Sequence, residues 1–255
     1  MEDGDYSIGG VKGTASQIKV TFVEPAGSMT NKLFPSGSRQ EYLTIHSDLD
    51  DITVKVSMID AANPFVFVDA ASMPQLWHSL DRNDPTALEL VEQIRCAAAV
   101  KMGLATDTSS ARLVRGTPKI AALLPPKNHN NSDVDKMPVD VQVISYSMGK
   151  MHPSFQLTGA VCLGAAVSIP GTIASDIANR SMLNTPPRSP SRHYVTLGEQ
   201  RKIEQNVVIA HPSGKIEAEV CLTEAFDGGV SVEGVTVSRT ARRLFEGNVL
   251  IPSRH

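Results

Sequence analysis

Three polar clusters in this sequence have residue types suited to holding an anion. The first is Gly27-Ser28-Met29-Thr30-Asn31-Lys32, which follows a strand-like segment. Its small residues leave backbone N–H groups uncovered, two hydroxyls add donors and Lys32 adds a charge, a set that suits a carboxylate or a phosphate. The Gly-Lys-Ser/Thr ending of a nucleotide-binding P-loop is absent, and the same composition serves an ordinary turn. The second, Asn63-Pro64, is a dipeptide common in turns. The third runs Ser147-Met148-Gly149-Lys150-Met151-His152 and leads to Thr158-Gly159 at the head of an apolar run. A helix starting at Thr158-Gly159 would present unpaired N–H groups and its positive dipole end to an anion. His152 reads as a capped or solvated histidine as readily as a base.

The familiar catalytic sets are missing from the sequence. It has no Gly-x-Ser-x-Gly, no His-Glu-x-x-His, no Cys-x-x-Cys and no Gly-x-Gly-x-x-Gly. Asp48, Asp50 and Asp51 read as a solvated turn. Nothing in the residues nominates a metal or a cofactor, so the expectation is none.

The element that must position the third cluster is residues 158–170. Ala160, Val161, Cys162, Leu163, Ala165, Ala166, Val167 and Ile169 put apolar side chains on every side of a helix. A helix apolar all round must be buried on all faces. The run is too short to span a bilayer, and Pro170-Gly171 stops it. Strands are predicted at residues 17–24, 41–46, 51–59, 65–69, 119–124, 139–145, 206–210, 215–222 and 234–238, with clear alternation of apolar and polar positions at 17–24 and 51–59. His211-Pro212-Ser213-Gly214 reads as a tight hairpin connection. Asp84-Pro85 starts an amphipathic surface helix that Gly103 ends. One or two helical turns are expected over 240–246 and a last short strand over 248–251. The fold class is α+β: a mostly antiparallel, curled sheet around one buried central helix.

The chain has 255 residues, is 41% hydrophobic and carries a formal net charge of -3. That balance gives no electrostatic footprint for nucleic acid and no basic run for an anionic membrane. The start, Met1-Glu2-Asp3-Gly4-Asp5, is acidic and unlike a targeting peptide. Cys96, Cys162 and Cys221 lack metal-type spacing and read as reduced thiols. A cytoplasmic setting is the default expectation.

Several longer segments resemble the PrpF family. These are residues 25–37 (Pro-Ala-Gly-Ser-Met-Thr-Asn-Lys-Leu-Phe-Pro-Ser-Gly), residues 59–68 (Ile-Asp-Ala-Ala-Asn-Pro-Phe-Val-Phe-Val), Ser147-Met-Gly-Lys-Met-His152, Thr158-Gly-Ala-Val161 and Ile169-Pro-Gly-Thr172. His211-Pro-Ser-Gly214 and Arg239-Thr-Ala-Arg-Arg-Leu-Phe-Glu-Gly247 extend the likeness over almost the whole chain. The resemblance implies a diaminopimelate epimerase-like fold of two pseudo-symmetric halves, each a sheet around a helix, with the active site between them. It also implies cofactor-free isomerisation of unsaturated di- or tricarboxylic acids by a 1,3-proton shift. A base would remove a proton beside a carboxylate while fixed donors hold the enolate-like charge.

By the same resemblance only the second half of the family is present. The Arg-Gly-Gly-Thr-Ser-Lys-Gly-type loop and the Cys-Gly-Asn loop of the first half do not occur. Met148 stands where a mirrored cysteine would, and a thioether has no proton to exchange. The resemblance therefore implies substrate contacts at Gly27, Ser28, Thr30, Lys32, Asn63, Ser147, Met148, Gly149, His152, Thr158 and Gly159, and assigns no catalytic residue. It implies a small di- or tricarboxylate as ligand, with a first-half domain or a second copy of the chain as partner. The expected organisation is one C-terminal-type domain over 1–247, with a lead-in at 1–16, an exposed loop at 180–195 and a tail strand at 248–255 that would belong to the absent half. A non-catalytic carboxylate-binding module, a structural remnant and a homodimer that rebuilds the cleft remain alternatives.

Overall fold

The computed structural model describes residues 3–46, 51–126, 138–183, 193–197, 200–225, 227–241, 243 and 246–248. Eleven strands form among the described residues: the nine expected between residues 17 and 238, several longer than their sequence pattern suggests, and two, at 150–151 and 193–197, where loop was expected. They are β1 Ile18–Val23, β2 Glu41–Ile45, β3 Ile52–Asp60, β4 Pro64–Asp69, β5 Lys119–Leu124, β6 Val141–Ser147, β7 Lys150–Met151, β8 His193–Leu197, β9 Gln200–His211, β10 Gly214–Ala225 and β11 Val230–Arg239. All belong to one eleven-stranded sheet in the order β1-β11-β10-β9-β6-β5-β4-β3-β2, with β7 paired to β6 and β8 to β9. The β4/β5 and β6/β9 pairs are parallel and the other pairs antiparallel. The chain is thus α+β.

The helices are α1 Gln75–Ser79, α2 Pro85–Lys101, α3 Thr108–Leu113, α4 Leu157–Ser168 and α5 Ile173–Leu183. Every residue of α4 from Gly159 to Ser168 is buried. It packs on β9, β10 and β11 and also on β3 and β4, strands from both arms of the sheet order. Gly164 allows the closest approach, since a Cβ there would lie 2.9 Å from Ala218 Cβ and 3.2 Å from Val220 Cγ2. Beyond α4 the chain turns into α5, which the sequence reading missed. Thr172 Oγ1 donates to the Ala166 carbonyl at 2.6 Å, and the Ile173 amide donates to Ser57 Oγ at 3.0 Å, docking the start of α5 on β3.

The sheet has a second apolar face, which a picture of one central helix omits. Val54, Val56, Met58, Val66 and Val68 join Trp77 of α1 and Leu90, Val91, Ile94 and Ala98 of α2 in a separate core. Strands β3 and β4 are therefore buried on both faces, and α2 covers the second core instead of lying on the surface by its apolar stripe alone. Its start follows the sequence: Asp84 accepts from the Thr86 amide at 2.8 Å, with Pro85 next. Trp77 Nε1 donates to Tyr146 Oη at 3.1 Å, so this core also braces the end of β6.

Some expectations meet a different chain path. Thr240, Ala241, Arg243 and Glu246 are irregular, not helical, and the tail strand lies largely outside the described residues. The expected loop at 180–195 is entered by α5, which reaches Leu183, and left by β8, which starts at His193. Of the acids read as a solvated turn, Asp48 and Asp50 lie outside the described residues, while Asp51 is exposed. Among the described residues no single helix is long and apolar enough to cross a membrane.

Candidate functional site

Sheet topology gathers the three sequence clusters at one end of the sheet. The β3–β4 turn carries Asp60 to Pro64, and Phe65 is level with Lys119 of β5, at the end where β6 delivers Ser147. The β9–β10 hairpin at His211 and Gly214 and the end of β11 at Arg239 open on the same side. The head of α4 points there too, because its other end is held at the opposite turn. Arg39 donates to the carbonyls of Pro170 and Gly228, each at 2.8 Å.

The Gly27 loop does not offer its donors to a ligand, contrary to the reading from sequence. It closes around Asp60, a carboxylate with no exposed surface. Asp60 Oδ1 accepts from Ser28 Oγ at 2.5 Å. Its Oδ2 accepts from the Met29 amide at 2.8 Å, the Thr30 amide at 2.7 Å and Thr30 Oγ1 at 2.9 Å. The Gly27 amide donates to the Asp60 carbonyl at 2.8 Å. The donors that suit an anion are thus consumed by an internal one. Gly27 has φ +71°, and a Cβ there would lie 2.7 Å from the backbone of Asn31 and Lys32. Lys32, the one charge of this cluster, is exposed and forms no ion pair among the described residues. Asp60 was legible as a lone acid closing the apolar run Val56-Ser57-Met58-Ile59, a position where a carboxylate needs donors to be buried.

Asn63 is half-buried beside Ala62, whose φ is +64°, and its side chain makes only a long 3.5 Å donation to the Pro64 carbonyl among the described residues. The Ser147-Met148-Gly149 turn splits away from the helix head. Met148 is 63% exposed at φ +53°, Gly149 follows at φ +76°, and the turn lines a small cleft with Arg115, Lys119 and Val91 on the α2 side of the sheet. His152 returns toward α4: its amide donates to the Ser145 carbonyl at 2.8 Å and its Nδ1 lies between the amide and carbonyl of Ser154. Gly159 is not an open platform either. A Cβ there would sit 2.8 Å from the Phe155 ring and 2.9 Å from the Phe65 ring, so glycine is needed for packing under the tip.

What remains at the head of α4 is polar and unsatisfied. The first intrahelical bond is Ala160 N–H to Gln156 C=O at 2.9 Å, and the amides of Leu157, Thr158 and Gly159 before it meet no described acceptor. The N-cap Gln156 makes no side-chain cap. Both its Oε1 and its Nε2 are buried without a partner, a residue that sequence reasoning did not single out. Buried polar atoms are usually paired by protein, water or a bound group, and while Gln40, Gln205 and Asn206 each leave one atom unpaired, Gln156 leaves both. Three open amides and an unpaired carboxamide at a positive dipole end fit one carboxylate.

The thiols do not contribute. Cys162 lies wholly within the α4 core, its Sγ 3.6 Å from the Ile59 carbonyl, and burial pushes its thiol far above the usual range. Burial likewise raises Cys96 and Cys221. Among the described residues no group of three His, Cys, Asp or Glu side chains is placed to share a metal ion.

A family model described as PrpF protein matches residues 1–185 of this chain. The chain belongs to the PrpF family. The YraM protein of Bacillus subtilis (strain 168) is 33% identical over 97% of this chain and 59% of its own length. A 2-methyl-aconitate isomerase of Cupriavidus necator is 30% identical over 99% of this chain and 60% of its own length. Among solved structures, a methylitaconate-delta-isomerase superposes with a TM-score of 0.67 at 27% identity, over 97% of this chain and 59% of that one. The chain thus spans about three-fifths of the length of the relatives it matches. These matches carry family membership and do not assign the chain to one half of the longer proteins.

Proposed function

We propose that this PrpF chain forms the carboxylate-binding wall of a cofactor-independent isomerase acting on unsaturated di- or tricarboxylic acids of the aconitate or itaconate type. The observation that carries the proposal is the head of α4, where three free amides and the unpaired Gln156 carboxamide meet. The relatives named as isomerases of 2-methyl-aconitate and methylitaconate support the substrate class. In this reading the amides of Leu157, Thr158 and Gly159 hold the substrate carboxylate and stabilise charge as a proton leaves the neighbouring carbon, where preformed donors act most strongly. The Asp60-centred loop supports the β3–β4 turn beside the tip instead of touching substrate. Of the contacts implied by family resemblance, Thr158, Gly159 and His152 keep that role, with Lys32 and Asn63 at the rim. Ser147, Met148 and Gly149 face a separate cleft.

Proton transfer then falls to groups beyond these 255 residues. Met148 has no proton to exchange, and Cys162 is sealed within the core. A diaminopimelate epimerase-like partner domain of the first-half type would complete the cleft and bring those groups. The test is to titrate the chain with trans-aconitate by calorimetry, then assay double-bond migration in aconitate- and itaconate-type acids with and without a supplied first-half domain. Binding by the chain alone, with turnover only in the mixture, supports the reading. Absence of both binding and turnover overturns it.

A further inference from the structure

The inner face of the sheet ends, at the α4 tip, on positive charge. Val235 and Val237 of β11 are wholly buried in the α4 core, and Arg239 continues their alternate row. On β9, Val207 and Ile209 are buried in the same core and His211 continues theirs. Gly164, midway along α4, faces Val235: a Cβ there would lie 3.7 Å from Val235 Cγ1. From Val235 to Arg239 the strand advances about 13 Å, and from Gly164 back to Leu157 the helix covers about 10 Å. Both advances run toward the same end, so Arg239 lies at the end of the inner face where the head of α4 opens.

His152 and His211 are locked into the same corner. Ser213 Oγ donates to the Pro153 carbonyl, tying the β9–β10 hairpin to the segment that enters α4. His211 is only 8% exposed; its Nδ1 accepts from the Ser213 amide at 3.3 Å, and its Nε2 meets no described partner. Burial, then the charge of Arg239, then His152 hold His211 below its ordinary value, so Arg239 and His152 each lie within electrostatic reach of His211. Arg239 is half-buried and pairs with no carboxylate among the described residues, although Tyr6 is close enough to favour its charge. A partly desolvated guanidinium without a counter-ion is costly, and a ligand that supplies one recovers that cost.

We propose that Arg239, supported by His211 and His152, binds a second carboxylate of the ligand whose first carboxylate sits on the amides of α4. This rests on the reading of the α4 tip given above and adds what distinguishes substrates: the pair of positions selects di- and tricarboxylates over monocarboxylates. Arg239 is planar and bidentate, so lysine replaces it incompletely.

Calorimetric titration of the wild type, Arg239→Gln and Arg239→Lys with tricarballylate and with crotonate tests this. The wild type should bind tricarballylate about 10- to 100-fold more tightly than crotonate, the range for one charge-assisted contact. Arg239→Gln should lose that preference and leave crotonate binding unchanged, while Arg239→Lys should retain part of it. Matching thermal unfolding curves show that each variant is folded, and the Lys variant serves if the Gln variant is not. A preference that survives in Arg239→Gln overturns the proposal. Equal binding of both acids by the wild type overturns Arg239's role and leaves the α4 tip standing; binding of neither overturns both.

Discussion

Replacing Asp60 by asparagine should loosen the loop that the sequence presents as an anion cradle. The carboxylate accepts four bonds, three of them on Oδ2. An asparagine oxygen in the place of Oδ2 keeps those three acceptor contacts, and its amide group can donate to Ser28 Oγ in place of the present bond. What disappears is charge. A hydrogen bond to an ionised group is worth about 1.5–3 kcal/mol and a neutral one about 0.5–1.5, so three bonds each weaken by about 1 kcal/mol. The Asn variant should therefore lose up to about 3 kcal/mol, and Asp60→Ala, which removes all four acceptor contacts, should lose more. Urea unfolding monitored at Trp77 gives the stability change, and hydrogen exchange reports the Met29 and Thr30 amides directly. Both amides should exchange faster in either variant. If both variants unfold at the wild-type midpoint and the two amides keep their protection, Asp60 does not organise this loop.

Asp140 supplies a pH test. Burial pushes its carboxyl up from 3.8 to about 6, against the lowering effect of the Val208 amide, which donates to it at 2.7 Å. A folded-state value above the unfolded one makes the ionised group a cost, fully present above about pH 6 and relieved as the pH falls toward 4. Two units correspond to roughly 3 kcal/mol. Asp140→Asn, whose oxygen still accepts from Val208, should thus unfold at higher urea than the wild type at pH 8 and at the same urea at pH 3.5; a pH-independent gap contradicts this. Gly159→Ala should cost about 1–3 kcal/mol by forcing Phe155 or Phe65 aside, measured by thermal unfolding; an unchanged melting temperature would mean that the rings do not pack there. In the native protein a disulfide reagent should titrate Cys221 alone, with Cys96 and Cys162 reacting only after denaturation. Rapid reaction of Cys162 would be incompatible with its burial.

The sequence carried the elements well where one chemical pattern decided them. Alternation found β1 and β3, and an all-apolar composition marked α4 as buried. Asp84-Pro85 and Gly103 marked the ends of α2. It was less informative where partners decide structure. The series Ile173-Ala174-Ser175-Asp176-Ile177 has a helical spacing that follows Pro170-Gly171 so closely that α5 was missed. Strands β9 and β10 run to twelve residues each because they pair with each other along their whole length, which polar positions such as Glu204 and Gln205 hide. The site shows the same division. Types and spacing pointed to the α4 tip, but they could not show that Ser28 and Thr30 spend their donors on Asp60, thirty residues and more away. Nor could they show that the Met148 turn faces α2, or that Gln156 is left unpaired. Arg239 and His211 stood in recognisable segments, and only strand register places them at the end of the inner face.

The central claim is that the head of α4 holds a carboxylate, and amide chemical shifts read it residue by residue. Titrating isotopically labelled protein with trans-aconitate should move the amide resonances of Leu157, Thr158 and Gly159 and the side-chain amide of Gln156 along one saturating curve. Met29 and Thr30, whose amides Asp60 already occupies, should stay in place. Saturating shifts at Met29 and Thr30 with Leu157, Thr158 and Gly159 unmoved would contradict the account.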